Sequence, residues 1–314
     1  MTEDEIIEAI RPFTRGIGDD AALWQPSRSH RSAISTDMLV EGVDFTRDAM
    51  SLEDAGWRSM AANLSDLAAM GARPVLATVA LGFPEATSGN DVRQLYAGIA
   101  ACAKRWKLAI AGGDLSRAPA LTVAIAVVGE VRASDAKRRS GGRPGDVLAV
   151  TGALGAARAG LELSRKSQPL APELNESARQ AFSRPQPRVD EGRFLAASAA
   201  VRAMIDLSDG LSTDLGRLAA ASECGAELES VPVADAASAV ARALGENADA
   251  FVLAGGEDFE LLAAIRARAF PHLAARYAAR FARPLLRIGV LKEGSGVIWN
   301  GAPLPRTGWD HFAR

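Results

Sequence analysis

Seven aspartates carry most of the chemistry this sequence offers. Asp19 and Asp20 follow Gly16-Ile17-Gly18, Asp37 follows Ile34-Ser35-Thr36, Asp114 follows Gly112-Gly113, and Asp206 and Asp209 bracket Leu207-Ser208 ahead of Gly210. Asp66 lies on a helical pattern three residues after Asn63, hence on the same face. Taken singly, each reads as a turn or cap residue, because a carboxylate there accepts backbone N–H bonds, and Asp209 suits the cap of a following helix. Brought together by the fold, these acids would repel one another unless hard cations neutralised them. Carboxylate oxygens without His or Cys select Mg²⁺ over zinc. Magnesium in turn implies phosphates.

The familiar phosphate-binding frameworks do not fit. A Walker loop needs a Gly-Lys pair, and none occurs. Asp258-Phe259-Glu260 lacks the glycine of a protein-kinase DFG, and no HRD loop exists. Gly16-x-Gly18-x-x-Ala21 matches a relaxed dinucleotide fingerprint, but Asp19 and Asp20 would face the pyrophosphate directly. The three histidines, His30, His272 and His311, have no metal-ligand spacing and weaken a zinc or Ser-His-Asp reading. Glycine pairs at Gly112-Gly113 and Gly255-Gly256 offer backbone N–H groups to a nucleotide.

Elements that hold such acids are legible as alternating strand and helix signals, the pattern of a mixed α and β protein. Residues 121–128 alternate Leu121, Val123, Ile125 and Val127 against Thr122, Ala124 and Ala126, as expected of a strand covered on both faces. Further strands are predicted at 75–81, 33–35, 108–111, 147–150 and 286–290. Trp57, Met60, Leu64 and Leu67 mark one helix, and Leu211, Leu215 and Leu218 another. A basic, glycine-rich stretch at 135–146 marks a domain boundary, and 166–188, with four prolines, reads as a loop, a lid or a connection around a short helix.

With 314 residues, 48% of them hydrophobic and 24% charged, the chain has the composition of a globular protein of about two domains. Lys plus Arg number 36 against 38 Asp plus Glu, a net charge of −2, so no overall positive field draws nucleic acid or an anionic membrane. Two cysteines, Cys102 and Cys224, and acids within 1–10 in place of a secretory leader point to the cytoplasm. No apolar run reaches the roughly 20 residues of a membrane span.

The segments GIGDDAA at 16, STDMLVEGVDF at 35, NLSDLAAMGARP at 63, GGD at 112, RSGGRPGD at 139, TGALGAARAGL at 151, IDLSDGL at 205, GGEDFEL at 255 and GWDHF at 308 form an ordered set. In that order they resemble the thiamine-monophosphate kinases, members of the aminoimidazole ribonucleotide synthetase-like superfamily, from about Gly16 to Phe312. The resemblance implies an ATP-dependent phosphorylation of thiamine monophosphate to thiamine diphosphate with several Mg²⁺ ions. It implies a two-domain α/β and α+β fold: an N-terminal domain, 1–138, lending strands to the central β-barrel of a homodimer, and a C-terminal α+β domain, 139–314. Position by position, Asp20, Ser35, Thr36, Asp37, Asp66, Asp114, Asp206 and Asp209 match the family's metal positions. Tyr96, Gly113, Asp114, Arg139 and Ser208 match its nucleotide positions. Glu257, Trp309 and Asp44 match substrate positions, Asp44 standing where relatives usually show His.

The implied reaction needs no catalytic base, because a phosphate monoester with a second pKa near ~6 is already largely a dianion at neutral pH. Metal ions must instead screen the acceptor from the γ-phosphate. Other superfamily enzymes are the first rivals. Selenophosphate synthetases usually carry a reactive Cys near the N-terminal glycines and the hydrogenase-maturation dehydratases end in Cys; neither feature occurs here. Aminoimidazole ribonucleotide synthetase, and a non-catalytic nucleotide-binding homologue, remain as alternatives.

Overall fold

The computed structural model describes residues 11–13, 29–165 and 170–308. Asp20 and Trp309 lie outside the described residues. The chain divides into two compact units, Met1–Leu67 with Ala72–Ala133, and Ala68–Gly71 with Ser134–Arg314.

The first unit holds a four-stranded sheet made of β1 (His30–Val40), β2 (Arg73–Phe83), β3 (Ala109–Arg117) and β4 (Thr122–Arg132), in the order β1-β4-β2-β3. Only β2 and β3 run parallel. Helices α1 (Leu52–Ala69) and α2 (Gly89–Arg105) follow β1 and β2. A capping box starts α2: Ser88 Oγ accepts from the Asp91 N–H, and the Asp91 carboxylate accepts from the Ser88 N–H. The predicted α1 stripe is the core, with Met60, Leu64 and Leu67 at 1% exposure or less.

Strand alternation sorts the sheet into two faces. Val123, Ile125 and Val127 of β4 are buried, whereas Ala124 and Ala126 are only partly covered. They pair with Met38 and Thr36 of β1. The expectation that β4 is covered on both faces therefore holds for one of them. On the open face Ile34 is 73% and Met38 61% exposed, and β1 is an edge strand among the described residues.

The second unit carries a seven-stranded sheet: β5 (Val147–Val150), β6 (Val201–Asp206), β7 (Gly225–Leu228), β8 (Leu261–Ile265), β9 (Leu286–Lys292), β10 (Val297–Trp299) and β11 (Ala302–Pro303), ordered β11-β10-β7-β9-β5-β8-β6. The helices are α3 (Ala156–Arg165), α4 (Pro172–Ser183), α5 (Val189–Ala196), α6 (Leu211–Ala221), α7 (Asp235–Leu244), α8 (Ala248–Leu253) and α9 (Phe270–Phe281). Every residue of β5 and β8 is buried, which accounts for their unbroken apolar sequences. Leu148, Val150, Ile205 and Leu262 meet Leu211, Leu215 and Leu218 of α6 and Val240 of α7 in one core. Of the stretch 166–188, the described part contains α4 and the irregular residues 184–188 that lead to α5.

Two readings are corrected. The strand expected at 33–35 runs for 11 residues, His30–Val40, so Asp37 lies inside it rather than at its end. Gly112-Gly113-Asp114 is not a turn but the middle of β3. Cross-strand pairing carries both segments through: Asp37 opposes Ile125, and Asp114 opposes Ala80.

Candidate active site

The expected site residues fall into two groups, one in each unit. In the first unit, Ser35 and Asp37 lie two residues apart on β1 and so share a face. The Ser35 hydroxyl donates to the Asp66 carboxylate of α1. One turn earlier, the buried Asn63 accepts the Asp37 N–H at 3.1 Å and donates through its amide nitrogen to the Ser59 carbonyl at 2.9 Å. That second bond fixes which way the amide oxygen points. Asn63 therefore locks strand to helix next to Asp37 and Asp66, a positioning role that the spacing alone did not assign.

Thr36 points to the other face, its hydroxyl donating to the Ile125 carbonyl at 3.0 Å, so on the Asp66 side it has only its backbone to offer. Asp114 is exposed on β3, three positions away from β1 across the sheet. Neighbouring Gly113 is obligatory for packing, since a Cβ there would stand 1.8 Å from the Val79 carbonyl oxygen. Tyr96 is 1% exposed within α2, its ring 6.3 Å from Phe13, and burial pushes its hydroxyl pKa up. It is a core residue of this unit. Asp44 closes the end of β1, accepting the Val40 N–H at 2.7 Å.

In the second unit, three of the motif segments converge at the N-terminal end of α6. The loop after β6 runs through Leu207, Ser208, Asp209 and Gly210. Against it lies 255–260, the Glu257 N–H donating to the Ser208 carbonyl at 2.7 Å and the Phe259 N–H to the Leu207 carbonyl at 3.0 Å. The two backbones nest so closely that a Cβ on Gly210 would approach the Gly255 carbonyl oxygen to 2.1 Å, and Gly210 has a φ of 110°. The tail docks on the same helix end. Thr307 N–H donates to Ser212 Oγ at 3.1 Å and Gly308 N–H to Thr213 Oγ1 at 3.2 Å, one residue before Trp309.

Asp206 is the buried last residue of β6. Asp209 is not the cap of α6, because Gly210 holds that position. The Asp209 side chain instead meets Arg217, which also bonds Asp214 at 2.8 Å. Burial, then the Asp209 charge, push the Asp214 carboxyl up to about 6 against the opposing Arg217. Glu257 is not helical. It and Phe259 take left-handed backbone (φ 65° and 49°), a costly pair of conformations held by the Ser208 and Leu207 bonds and by Asp258 between them. Both Asp258 oxygens accept from the Gly155 N–H, at 2.8 and 2.9 Å, ahead of α3. Burial raises the Asp258 carboxyl to about 7 despite those bonds.

Arg139 is exposed. Its carbonyl accepts from the hydroxyl of Ser222, the residue that ends α6, whereas Ser208 and Asp209 lie at the helix's start. Below the loops, the buried Glu260 receives two Arg188 bonds at 2.7 and 2.9 Å, one from Arg283 at 2.8 Å and one from Thr151 at 2.5 Å. Burial opposes its ionisation, but the two guanidiniums prevail and hold its carboxyl below the usual range. Among the described residues of either unit, no three His, Cys, Asp or Glu side chains converge as a metal cluster. The donor set around Ser35, Asp37 and Asp66 contains only carboxylate, hydroxyl and amide oxygens, which suits a hard divalent cation.

Two family models match the chain: AIR synthase related protein, N-terminal domain, over 18–131, and AIR synthase related protein, C-terminal domain, over 143–274. The thiamine-monophosphate kinase of Rhodopirellula baltica is 39% identical over 257 residues, 79% of this chain and 74% of the relative. The chain belongs to the thiamine-monophosphate kinase family. A crystal structure of the thiamine-monophosphate kinase from Stenotrophomonas maltophilia K279a aligns with a TM-score of 0.85 and 36% identity, covering 96% of this chain and 98% of that one. A structure of AaThiL complexed with AMPPCP and TMP aligns with a TM-score of 0.81 and 29% identity, covering 98% and 95%. The two-domain fold of the thiamine-monophosphate kinases is thus the fold of this chain.

Proposed function

We propose that this protein transfers the γ-phosphoryl group of ATP to thiamine monophosphate, giving thiamine diphosphate and ADP. The observation that carries the reading is the end-to-end likeness to the AaThiL complex with AMPPCP and TMP, together with the acidic motifs. In the first unit Ser35, Asp37, Asp66 and Asp114 would hold Mg²⁺, and in the second Asp206 and Asp209 would; Asp20 completes the set that the resemblance implies. Bound there, the metal would neutralise phosphate charge and polarise the transferred group. Asn63 keeps the Asp37 backbone against α1, and the Ser35 hydroxyl orients the Asp66 carboxylate. The nested loops at 207–210 and 255–260 fix Ser208, Asp209 and Glu257 to within the play of a hydrogen bond, and the docked tail delivers the chain to Trp309. Trp309 would stack on the thiamine rings, with cation–π attraction to the thiazolium. No side chain need remove a proton from the acceptor, which is already a dianion.

Incubation with ATP, Mg²⁺ and thiamine monophosphate, read by mass-resolved product analysis, is expected to give thiamine diphosphate and ADP one for one and to leave free thiamine untouched. Tight ATP binding without ADP formation would mark a non-catalytic homologue, and turnover only with formylglycinamidine ribonucleotide would mark an aminoimidazole ribonucleotide synthetase.

We further propose a homodimer joined through the open face of the first unit's sheet, where Ile34 and Met38 are largely exposed. The double variant I34K/M38K is expected to sediment as a monomer where the wild type sediments as a dimer; a monomeric wild type at micromolar concentration would refute this. Cys102 and Cys224 are both free, buried thiols, which supports the cytoplasm as its location. No described helix is long and apolar enough to cross a membrane.

A further inference from the structure

Among the described residues, the Asp209 carboxylate already has a cation on it. Arg217 Nη1 donates to Asp209 Oδ2 and, at 2.8 Å, to Asp214 Oδ1. Asp214 is 1% exposed and turns its other oxygen back to accept the N–H groups of Asp209 and Gly210, both at 3.0 Å. Gly210 begins α6 with no side chain to cap it, so Asp214 supplies an acceptor from inside the first turn, as the reach-back half of a capping box does. The consequence is a division of labour. Buried Asp214 fixes the backbone of residues 209 and 210, while the Asp209 side chain is held by a guanidinium that is itself about one third exposed.

We propose that Arg217 is the resident counter-cation of Asp209: it neutralises this acid while no divalent ion is bound, competes with the ion for the same carboxylate, and so sets the cation affinity of this carboxylate. The proposal rests on the reading of Asp209 as an ion ligand. Asp209 and Asp214 bring two negative charges and Arg217 one positive charge, so the trio keeps a net −1 that still attracts a cation. A guanidinium and a doubly charged ion a few ångströms apart nevertheless repel. Even at the dielectric of water that repulsion is worth roughly a tenfold change in affinity. Arg217 is a positioning residue in this scheme and touches no substrate.

The test is Mn²⁺ binding by the full-length protein without nucleotide, followed by electron paramagnetic resonance. R217M is expected to bind Mn²⁺ roughly tenfold more tightly than the wild type, R217K to stay within about twofold of it, and D209N/R217M to lose the gain. Equal or weaker binding by R217M, with D209N weakened, overturns the counter-cation role while leaving Asp209 a ligand. Unchanged binding by D209N overturns the ligand reading and this proposal with it. Should R217M fail to fold, the wild type labelled with ¹⁵N-arginine decides the matter: the Arg217 guanidinium resonance, assigned with R217K, must move as Mg²⁺ is added, and a resonance indifferent to saturating Mg²⁺ overturns the proposal.

Discussion

Asp66→Asn is expected to lower turnover of thiamine monophosphate by a factor on the order of 10³ while leaving the fold almost unchanged. The two halves of this expectation come from the same atoms. Asp66 accepts the Ser35 hydroxyl across the α1–β1 interface, and an asparagine of the same shape still presents an oxygen for that bond. The stability cost is therefore about 1 kcal/mol or less. What disappears is the negative charge, and in the proposed role the loss of one anionic ligand of a cation that screens two phosphates costs several kcal/mol of transition-state stabilisation. Steady-state rates beside a urea unfolding midpoint separate the effects. Near-normal turnover would make Asp66 a purely structural partner of Ser35, and a collapsed midpoint would show that the charge serves the fold.

Glu260→Ala is expected to have the opposite profile, a loss of about 3–5 kcal/mol of unfolding free energy, because it removes the carboxylate that two guanidiniums hydrogen-bond and leaves them the Glu191 carboxylate at 3.9 and 4.0 Å, beyond hydrogen-bond reach. Arg188 and Arg283 both end on the Glu260 carboxylate, and Thr151 donates to it from β5. Glu260 is 4% exposed, so solvent does little to screen the pair or to replace the lost acceptor. The damage should reach the site as well, since Leu207 N–H bonds the Glu260 carbonyl and Phe259 and Glu257 precede it in the strained loop. Urea unfolding measures the first effect. A loss under about 1 kcal/mol would mean that Arg188 and Arg283 find new partners, and that the network contributes little to holding the loop.

How much of this was legible in the sequence depends on where each element finds its partners. Helix α1 and strand β4 announce themselves because burial imposes a period on consecutive residues, and β5 because burial of every residue leaves an unbroken apolar run. Strand β1 does not, because Ser35 and Asp37 put polar groups on its helix-covered face, so the run looks as though it ends where the site begins. Gly112-Gly113-Asp114 reads as a turn by composition, yet β2 pairs through it, with Gly113 tolerating a backbone approach that a side chain would block. The cap of α6 was misassigned for a similar reason: Asp209 is the better capping residue by type, but its carboxylate is engaged by Arg217 while Asp214 reaches back. Glu260 gave no local signal, since its partners lie 72 and 23 residues away. The acidic motifs, by contrast, were visible throughout, because each is a compact string of residues whose spacing survives any rearrangement of the rest.

The alternation of β1 has a corollary for insertions and deletions. Its odd-numbered positions, with Ser35 and Asp37, face α1, and its even-numbered positions, with Ile34 and Met38, face outward. Removing one residue ahead of Ser35 while the pairing with β4 stays in place would turn the strand inside out, sending Ser35 and Asp37 to the outside and methionine and isoleucine towards Asn63 and Asp66. The ion binding and the self-association proposed above would then fail together, so this stretch should tolerate point changes on either side far better than any change of length.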